Sequence, residues 1–222
     1  MRRCMMFSVI VTCLAASGLL GPPVAGAAGL GLYGAAGGGD ATWTSDYSDG
    51  SSSKLDKDVR FKVFGIILDT APSEMSVFDY RLNIGAESLK AMPGRGTNTY
   101  NLHGVVLDND FGFGIIRTRG LRVWLGPEIR LAYRTGDDGA DGVTNRHVKQ
   151  YGAGVGPVLG IDVHLGAGVF LALKGGLLAN YYVGTGDRVQ AGGLDADFHE
   201  REMISYAQVG ILFRFGQTAG RM

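Results

Sequence analysis

The sequence predicts an all-β fold, an eight-stranded antiparallel up-and-down transmembrane β-barrel. Three observations carry that expectation. Strand-like segments alternate apolar and polar residues at a period of 2. The connections between them alternate long and short. No stretch of about 20 apolar residues follows the N-terminal segment, so any crossing downstream of it would use strands closed on themselves.

Residues 1–27 read as a signal peptide and residues 28–222 as one barrel domain. Arg2 and Arg3 form a positive n-region, and Met5 to Leu20 is apolar apart from small or weakly polar residues. Pro22 and Pro23 break the run, and Ala25-Gly26-Ala27 supplies an A-x-A cleavage site. An uncleaved anchor is the alternative, but the run falls short of the roughly 20 residues a spanning helix needs. A lipidation box at Cys13 is opposed by Thr12, which is larger than the small residue expected there. Cleavage after Ala27 removes Cys4 and Cys13, leaving no disulfide, thiol nucleophile or cysteine metal site. Basic and acidic residues number 21 each, so nothing basic enough for nucleic acid is expected.

The first strand is expected over Gly29 to Gly38, followed by a long polar loop from Asp40 to Asp58. Strand two covers Val59 to Leu68, and a short connection runs from Asp69 to Ser76. Strand three, Val77 to Leu89, alternates most clearly: Phe78, Tyr80, Leu82, Ile84 and Ala86 on one face, Asp79, Arg81, Asn83, Gly85 and Glu87 on the other. A helix would spread those charges around its surface. Strand four runs from Thr99 to Ile116, with Phe111, Phe113 and Ile115 out of step with Tyr100 and Leu102. That predicts a β-bulge, or a break, near Asp108 to Asp110.

Strand five, Leu121 to Tyr133, places Arg122, Trp124, Glu128 and Arg130 on its polar face, and a polar loop is expected over Arg134 to Arg146. Strand six, Val148 to His164, opposes Tyr151, Val155, Leu159, Ile161 and Val163 to a face of glycines with Asp162 and His164. Strand seven, Val169 to Val183, sets Leu171, Leu173, Leu177 and Tyr181 against Lys174 and Asn180. After a polar loop from Gly184 to His199 the last strand runs from Glu200 to Phe215. Four larger loops thus alternate with three small turns, as in a barrel whose turns lie on the periplasmic side. A soluble β-sandwich also has about eight strands but need not alternate its loop lengths. Aromatic residues at strand edges, Tyr33, Phe78, Tyr80, Tyr100, Tyr133, Tyr151, Tyr181, Phe213 and Phe215, suit interface girdles. The 37 glycines suit a narrow inner wall that must make room for long side chains.

In the last strand, Val209, Ile211, Phe213 and Phe215 share one face, and Gln208, Gly210 and Arg214 the other, with Leu212 breaking the polar side. Gln208, Gly210, Phe213 and Phe215 match, in order, the C-terminal signal strand of bacterial outer-membrane β-barrels, although seven residues follow the terminal Phe. The chain therefore resembles the small eight-stranded outer-membrane proteins of Gram-negative bacteria, the opacity-protein, OmpA-domain and OmpW-like group. The resemblance implies a monomer in outer-membrane lipid, delivered through a cleaved signal peptide and inserted by the barrel assembly machinery reading that strand. It implies a non-enzymatic role in envelope structure, adhesion or surface-ligand contact through four extracellular loops. The alternatives are a narrow, porin-like channel for small or hydrophobic solutes, a lipid-modifying enzyme, and a periplasmic β-sandwich binding protein.

No motif argues for a cofactor, a metal or a catalytic centre. Gly29-Leu30-Gly31-Leu32-Tyr33-Gly34 matches G-x-G-x-x-G but lacks the strand before and the helix after that a dinucleotide site requires. Asp137 to Gly142 resembles part of a calcium loop, with Gly139 and Val148 where ligands belong. His103, His147, His164 and His199 have no metal-ligand spacing, and none has the serine two residues on that lipid A deacylases carry. Asp162 and His164 share a face and could orient an acid–base group, though a lumen ion pair is the plainer account. The inward face is expected to carry Arg60, Lys62, Asp79, Arg81, Glu87, Arg122, Glu128, Arg130, Asp162, His164, Lys174, Glu202 and Arg214. Within that set Asp79, Arg81, Glu87, Arg122, Glu128, Arg130, Asp162 and Lys174 form the expected ion-pair network, centred on Arg81, Glu128 and Arg130. Charges in so narrow a lumen must pair or lose hydration without compensation.

Overall fold

Period-2 alternation with one polar face suits a sheet whose two sides meet different surroundings, and closing the sheet removes its unpaired edges. The computed structural model, which describes residues 29–71, 74–93, 99–140, 143–188 and 196–215, has this form. Eight strands run in chain order: β1 (Gly29–Tyr47), β2 (Ser52–Asp69), β3 (Phe78–Pro93), β4 (Thr99–Arg117), β5 (Leu121–Ala140), β6 (Val143–Gly166), β7 (Val169–Arg188) and β8 (Ala196–Arg214). Each pairs antiparallel with the next, and β8 returns to β1 to close the barrel. Residues 1–27 lie outside the described residues.

Following partners round the wall from Leu30 leads through Leu68, Leu82, Asn109, Ile129, Val155, Ala179 and Met203 to Asp40. The ring closes about ten residues further along β1, a shear that tilts the strands by roughly 40°. Allowing for that tilt, Phe78, Phe113 and Phe213 stand at one height on the outer wall and Tyr133, Tyr151 and Tyr181 at another. All six are exposed, as are Leu32, Phe64, Leu125, Val155, Leu159, Leu177 and Ile211 between them. That is the outward apolar band, about 25 Å tall, of a bilayer-spanning barrel.

The strands are longer than the sequence suggested. The stretch from Asp40 to Asp58 is a paired hairpin, with Asp40 opposite Asp58 and Asp46 opposite Ser52, and only residues 48–51 turn. Here Ala41, Trp43 and Ser45 point inward while Asp40, Asp46, Asp56 and Asp58 meet water. Polar outward positions above the bilayer read as loop composition, which is why the strand was hidden. In the turn, the Ser51 hydroxyl and amide donate to Asp49 and hold its carboxyl below the usual range. β5, β6, β7 and β8 extend in the same way into the expected loops 134–146 and 184–199. The stretch resembling a calcium loop is thereby divided between β5 and β6, and Asp137 hydrogen-bonds His147 on the outer wall.

Three further expectations are corrected. β4 keeps one phase through Asp108 to Asp110; its irregularity falls between Gly114 and Ile116. The apparent frame slip arose because Leu102 and Tyr100 point into the barrel, where Tyr100 packs on Trp43 with ring centroids 5.0 Å apart. Tyr33 is likewise interior, so neither Tyr33 nor Tyr100 belongs to a girdle. On β2 the inward residues are Val59, Phe61, Val63, Ile67 and Asp69, which places Arg60 and Lys62 on the outer wall rather than in the lumen. The alternation of β2 admits both phases, and the room for Phe61 inside decides between them.

Small inner residues make space as expected. A Cβ at Gly176 would stand 2.7 Å from the Tyr206 ring, and one at Gly160 would overlap the Trp124 indole. Below, the β2–β3 connection turns under the barrel: Asp69 accepts from the Ala71 amide, and buried Glu74 pairs with His164 at 3.1 Å.

Candidate functional site

The lumen is the one place where the fold concentrates charge, and it does so in tiers. At the periplasmic end Arg81 reaches Asp69 at 2.7 Å, Asp162 at 3.0 Å and Asp79 at 3.4 Å. Arg122 donates to Asp79 at 2.7 Å, and Arg214 reaches Asp69 at 3.1 Å and Asp162 at 3.5 Å. Three carboxylates and three guanidiniums from β2, β3, β5, β6 and β8 thus form one buried knot. Each carboxylate meets at least two cations, which is how such groups tolerate the loss of water. The Arg214 guanidinium also lies 4.4 Å from the Phe170 ring centroid, a cation–π contact.

The middle tier is smaller. Lys174 donates to Asp110 at 3.0 Å and Glu128 at 3.2 Å, Asn83 donates to Asp110 at 2.8 Å, and Gln208 donates to Asn83 at 3.3 Å. The Tyr206 hydroxyl donates to Glu128. Arg130 forks onto Asp108, through Nε at 2.7 Å and Nη2 at 3.0 Å, and reaches Glu87 at 3.6 Å. Higher up, Arg134 bridges Glu87 at 2.6 Å and Glu202 at 2.7 Å beneath the Tyr182 ring, and Asn180 donates to Glu202. Near the external mouth the ammonium of Lys57 lies 3.3 Å from the ring centroids of both Trp43 and Tyr100, and Gln150 donates to Glu200 at 3.0 Å.

All eight residues expected in the network, Asp79, Arg81, Glu87, Arg122, Glu128, Arg130, Asp162 and Lys174, are buried in the lumen. The expected centre is not one cluster: Arg81, Glu128 and Arg130 belong to separate groups because they point inward at different heights. Asp162 and His164 do not pair either, since Asp162 turns to arginines and His164, at the rim, to Glu74. Sequence reasoning missed Asp69 and Arg134, which it left in connections, and Asp108 and Asp110, which it read as a bulge. A register drawn from neighbouring strands would have found them: Arg81 faces Asp69 and Asp110, and Arg130 faces Asp108.

Asp69, Asp79 and Asp162 present oxygens within 4.8 Å of one another. Arg81, Arg122 and Arg214 already occupy the space between them, so the trio is read as the acidic half of an ion-pair knot. On β8, Gln208 and Gly210 face the lumen while Phe213 and Phe215 are exposed on the outer wall, the phase the sequence gives them.

An apolar outer band round a charge-filled interior defines a small transmembrane β-barrel. Its fold is that of the small outer-membrane β-barrels of Gram-negative bacteria, and the comparison that carries this is with the outer membrane protein OprG from Pseudomonas aeruginosa. The two share 12% identity at a TM-score of 0.64, over 86% of this chain and 96% of OprG. Looser similarity extends to AlkL, solved in DMPC bilayers (9% identity, TM-score 0.41, 86% and 93% of the two chains). It extends also to Neisserial surface protein A (14%, 0.36, 83% and 97%). No protein-family profile matches the chain, and no curated protein does.

Proposed function

We propose that this protein is a non-enzymatic outer-membrane barrel, a sealed β-wall that anchors four hairpins outside the cell for envelope structure, adhesion or surface-ligand contact. The observation that carries this reading is the tiered lumen. Arginines and lysines from opposite walls meet acids at three heights, and Tyr33, Phe61, Trp124, Tyr182 and Tyr206 fill the space between. Such a filling leaves no continuous water path. The lumen carboxylates are engaged by cations, and His103, His147 and His199 face outward, which favours a structural role over acid–base chemistry. Residues 1–27 serve as the cleaved export signal, and Gln208, Gly210, Phe213 and Phe215 as the strand read by the assembly machinery. The protein acts as a monomer in outer-membrane lipid.

A second reading, a narrow route for small or hydrophobic solutes, is favoured by one observation. Pro127 and Pro157 face each other across β5 and β6, and neither has an amide to donate. The β4–β5 pairing passes from Asp110 and Glu128 to Phe113 and Leu125, and the β6–β7 pairing from Val155 and Ala179 to Val158 and Gly176. The wall is thus less fully bonded there than elsewhere. Planar-bilayer recording of the refolded protein separates the readings. Silence is expected from a sealed barrel; steady ohmic conductance would overturn the seal and promote the channel.

A further inference from the structure

The outer wall is not uniform at the height of the upper tyrosines. On β5, β6 and β7 the band runs unbroken up to Tyr133, Tyr151 and Tyr181. On β2 and β3 it stops sooner, and Lys62, Arg60 and Lys90 take the outward positions. With the strand tilt allowed for, Arg60 and Lys90 stand level with the tyrosines, at the polar boundary of the bilayer. Lys62 lies one outward step lower, level with Leu131 on the far wall, where a cation on the lipid face is costly.

Two features of this patch call for an anion. Arg60 and Lys90 are direct partners across the β2–β3 ladder, and like charges facing each other in a sheet repel. Among the described residues, Arg60, Lys62 and Lys90 make no ion pair, whereas every arginine in the lumen does. The nearest outward acids, Asp40 and Asp58, oppose each other one step above Arg60, towards water.

Immediately below the cations the wall is hollow. A groove of about 940 Å³ crosses β8, β1, β2, β3 and β4, floored by Gly34, Ala36, Ala86 and Ala207 and walled by Phe64 and Val209. Lys62 and His103 stand at its upper end. The floor is shallow because the outward residues there are small, and it lies within the apolar band, where acyl chains run.

We propose that this groove and the three cations form a binding site for a phosphorylated acyl lipid of the outer leaflet. One acyl chain lies along Gly34, Ala36 and Ala86, and the phosphomonoester is held by Lys62, Arg60 and Lys90. The phosphate supplies the counter-charge that the Arg60–Lys90 pair lacks. Lys62 reaches up the wall to it along its own methylene stem. The site presupposes the barrel's place in a bilayer but is independent of whether the lumen is sealed.

The test is lipid selectivity of the refolded barrel in phosphatidylcholine vesicles, read by electron paramagnetic resonance of spin-labelled lipids. Gel mobility before and after heating confirms that each variant is folded. Spin-labelled phosphatidic acid should be immobilised in clear preference to spin-labelled phosphatidylcholine and to spin-labelled stearate. Arg60→Gln and Lys90→Gln should each reduce that preference roughly fivefold, in line with the attraction of one surface cation for an anionic headgroup. Ala36→Leu with Ala86→Leu, which fills the groove and leaves the cations in place, should reduce it as well. Equal immobilisation of all three lipids by the folded wild-type protein would overturn the proposal. So would a phosphatidic acid preference that survives the loss of both cations. Stearate bound as well as phosphatidic acid would remove the phosphate from it. Loss of a cross-linkable dimer in the filled-groove variant, with lipid selectivity unchanged, would assign the groove to a second copy of the chain.

Discussion

The lower and upper halves of the same strands obey opposite rules. Within the bilayer band, β3 and β5 turn Phe78, Ile84, Leu125 and Ile129 outward and Asp79, Arg81, Arg122 and Glu128 inward. Above it, β1 and β2 turn Asp40, Asp46, Asp56 and Asp58 outward, while Ala41, Trp43 and Val59 face a core shared with Leu102, Val148 and Phe198. The backbone ladder is continuous through the change. What reverses is the solvent outside, and each face is chosen against that solvent. The lower half is held by buried ion pairs, whose net worth against an apolar filling is small but whose disruption is costly. The upper half is held by ordinary apolar burial.

The comparison is broken most severely at Arg81. Arg81→Ala leaves Asp69, Asp79 and Asp162 crowded together in a dry site. We expect a loss of about 3–5 kcal/mol, measured as urea unfolding of the refolded barrel. Little change would mean that water reaches the knot and that the lower half is not dry. A somewhat smaller effect, about 3 kcal/mol, is expected for Trp43→Ala, which empties the upper core beside Tyr100 and Phe198. Its signature should be local. Amide exchange should rise in the upper parts of β1, β2 and β8 and stay slow around Arg81, because the two halves have separate cores. Uniform loosening would join them into one. Phe215→Asp should change the unfolding free energy least, by about 1 kcal/mol, since it sits near the interface. Yet it should lower outer-membrane levels and leave protease-sensitive periplasmic protein. Unchanged folded yield in cells would remove Phe215 from the assembly signal.

The same reversal explains what was legible in the sequence. The strand count, the order of short and long connections, and the inward set on β3 and β5 could all be read, because within the band polar meant inside. The rule failed once the strands left the bilayer. Trp43, Tyr100 and Leu102 point inward above it, so they were taken for girdle residues, for loop, or for a change of phase. Arg60 and Lys62 lie outside because Phe61 and Val63 fill the lumen beside them, a matter of volume that alternation does not encode. The tiers were half visible: the charges could be assigned to the lumen one strand at a time, but their partners required the shear. Arg81 meets Asp162, and Arg134 meets Glu202, across the barrel rather than along any one strand.

The seam between β1 and β8 bears on time rather than on stability. Every rung from Gly29–Arg214 to Tyr47–Ala196 joins positions at least 149 residues apart, whereas the other rungs are made by neighbouring hairpins. Contacts of such long range form late, because a large loop of chain must be closed before any of them is made. Seven hairpin pairings can zip locally, but the ring is complete only when the two distant strands meet. Until then both present unpaired amides and carbonyls, a template for another chain. The slow step in this protein's maturation should therefore be that meeting, and its main competitor the same two edges finding the wrong strand.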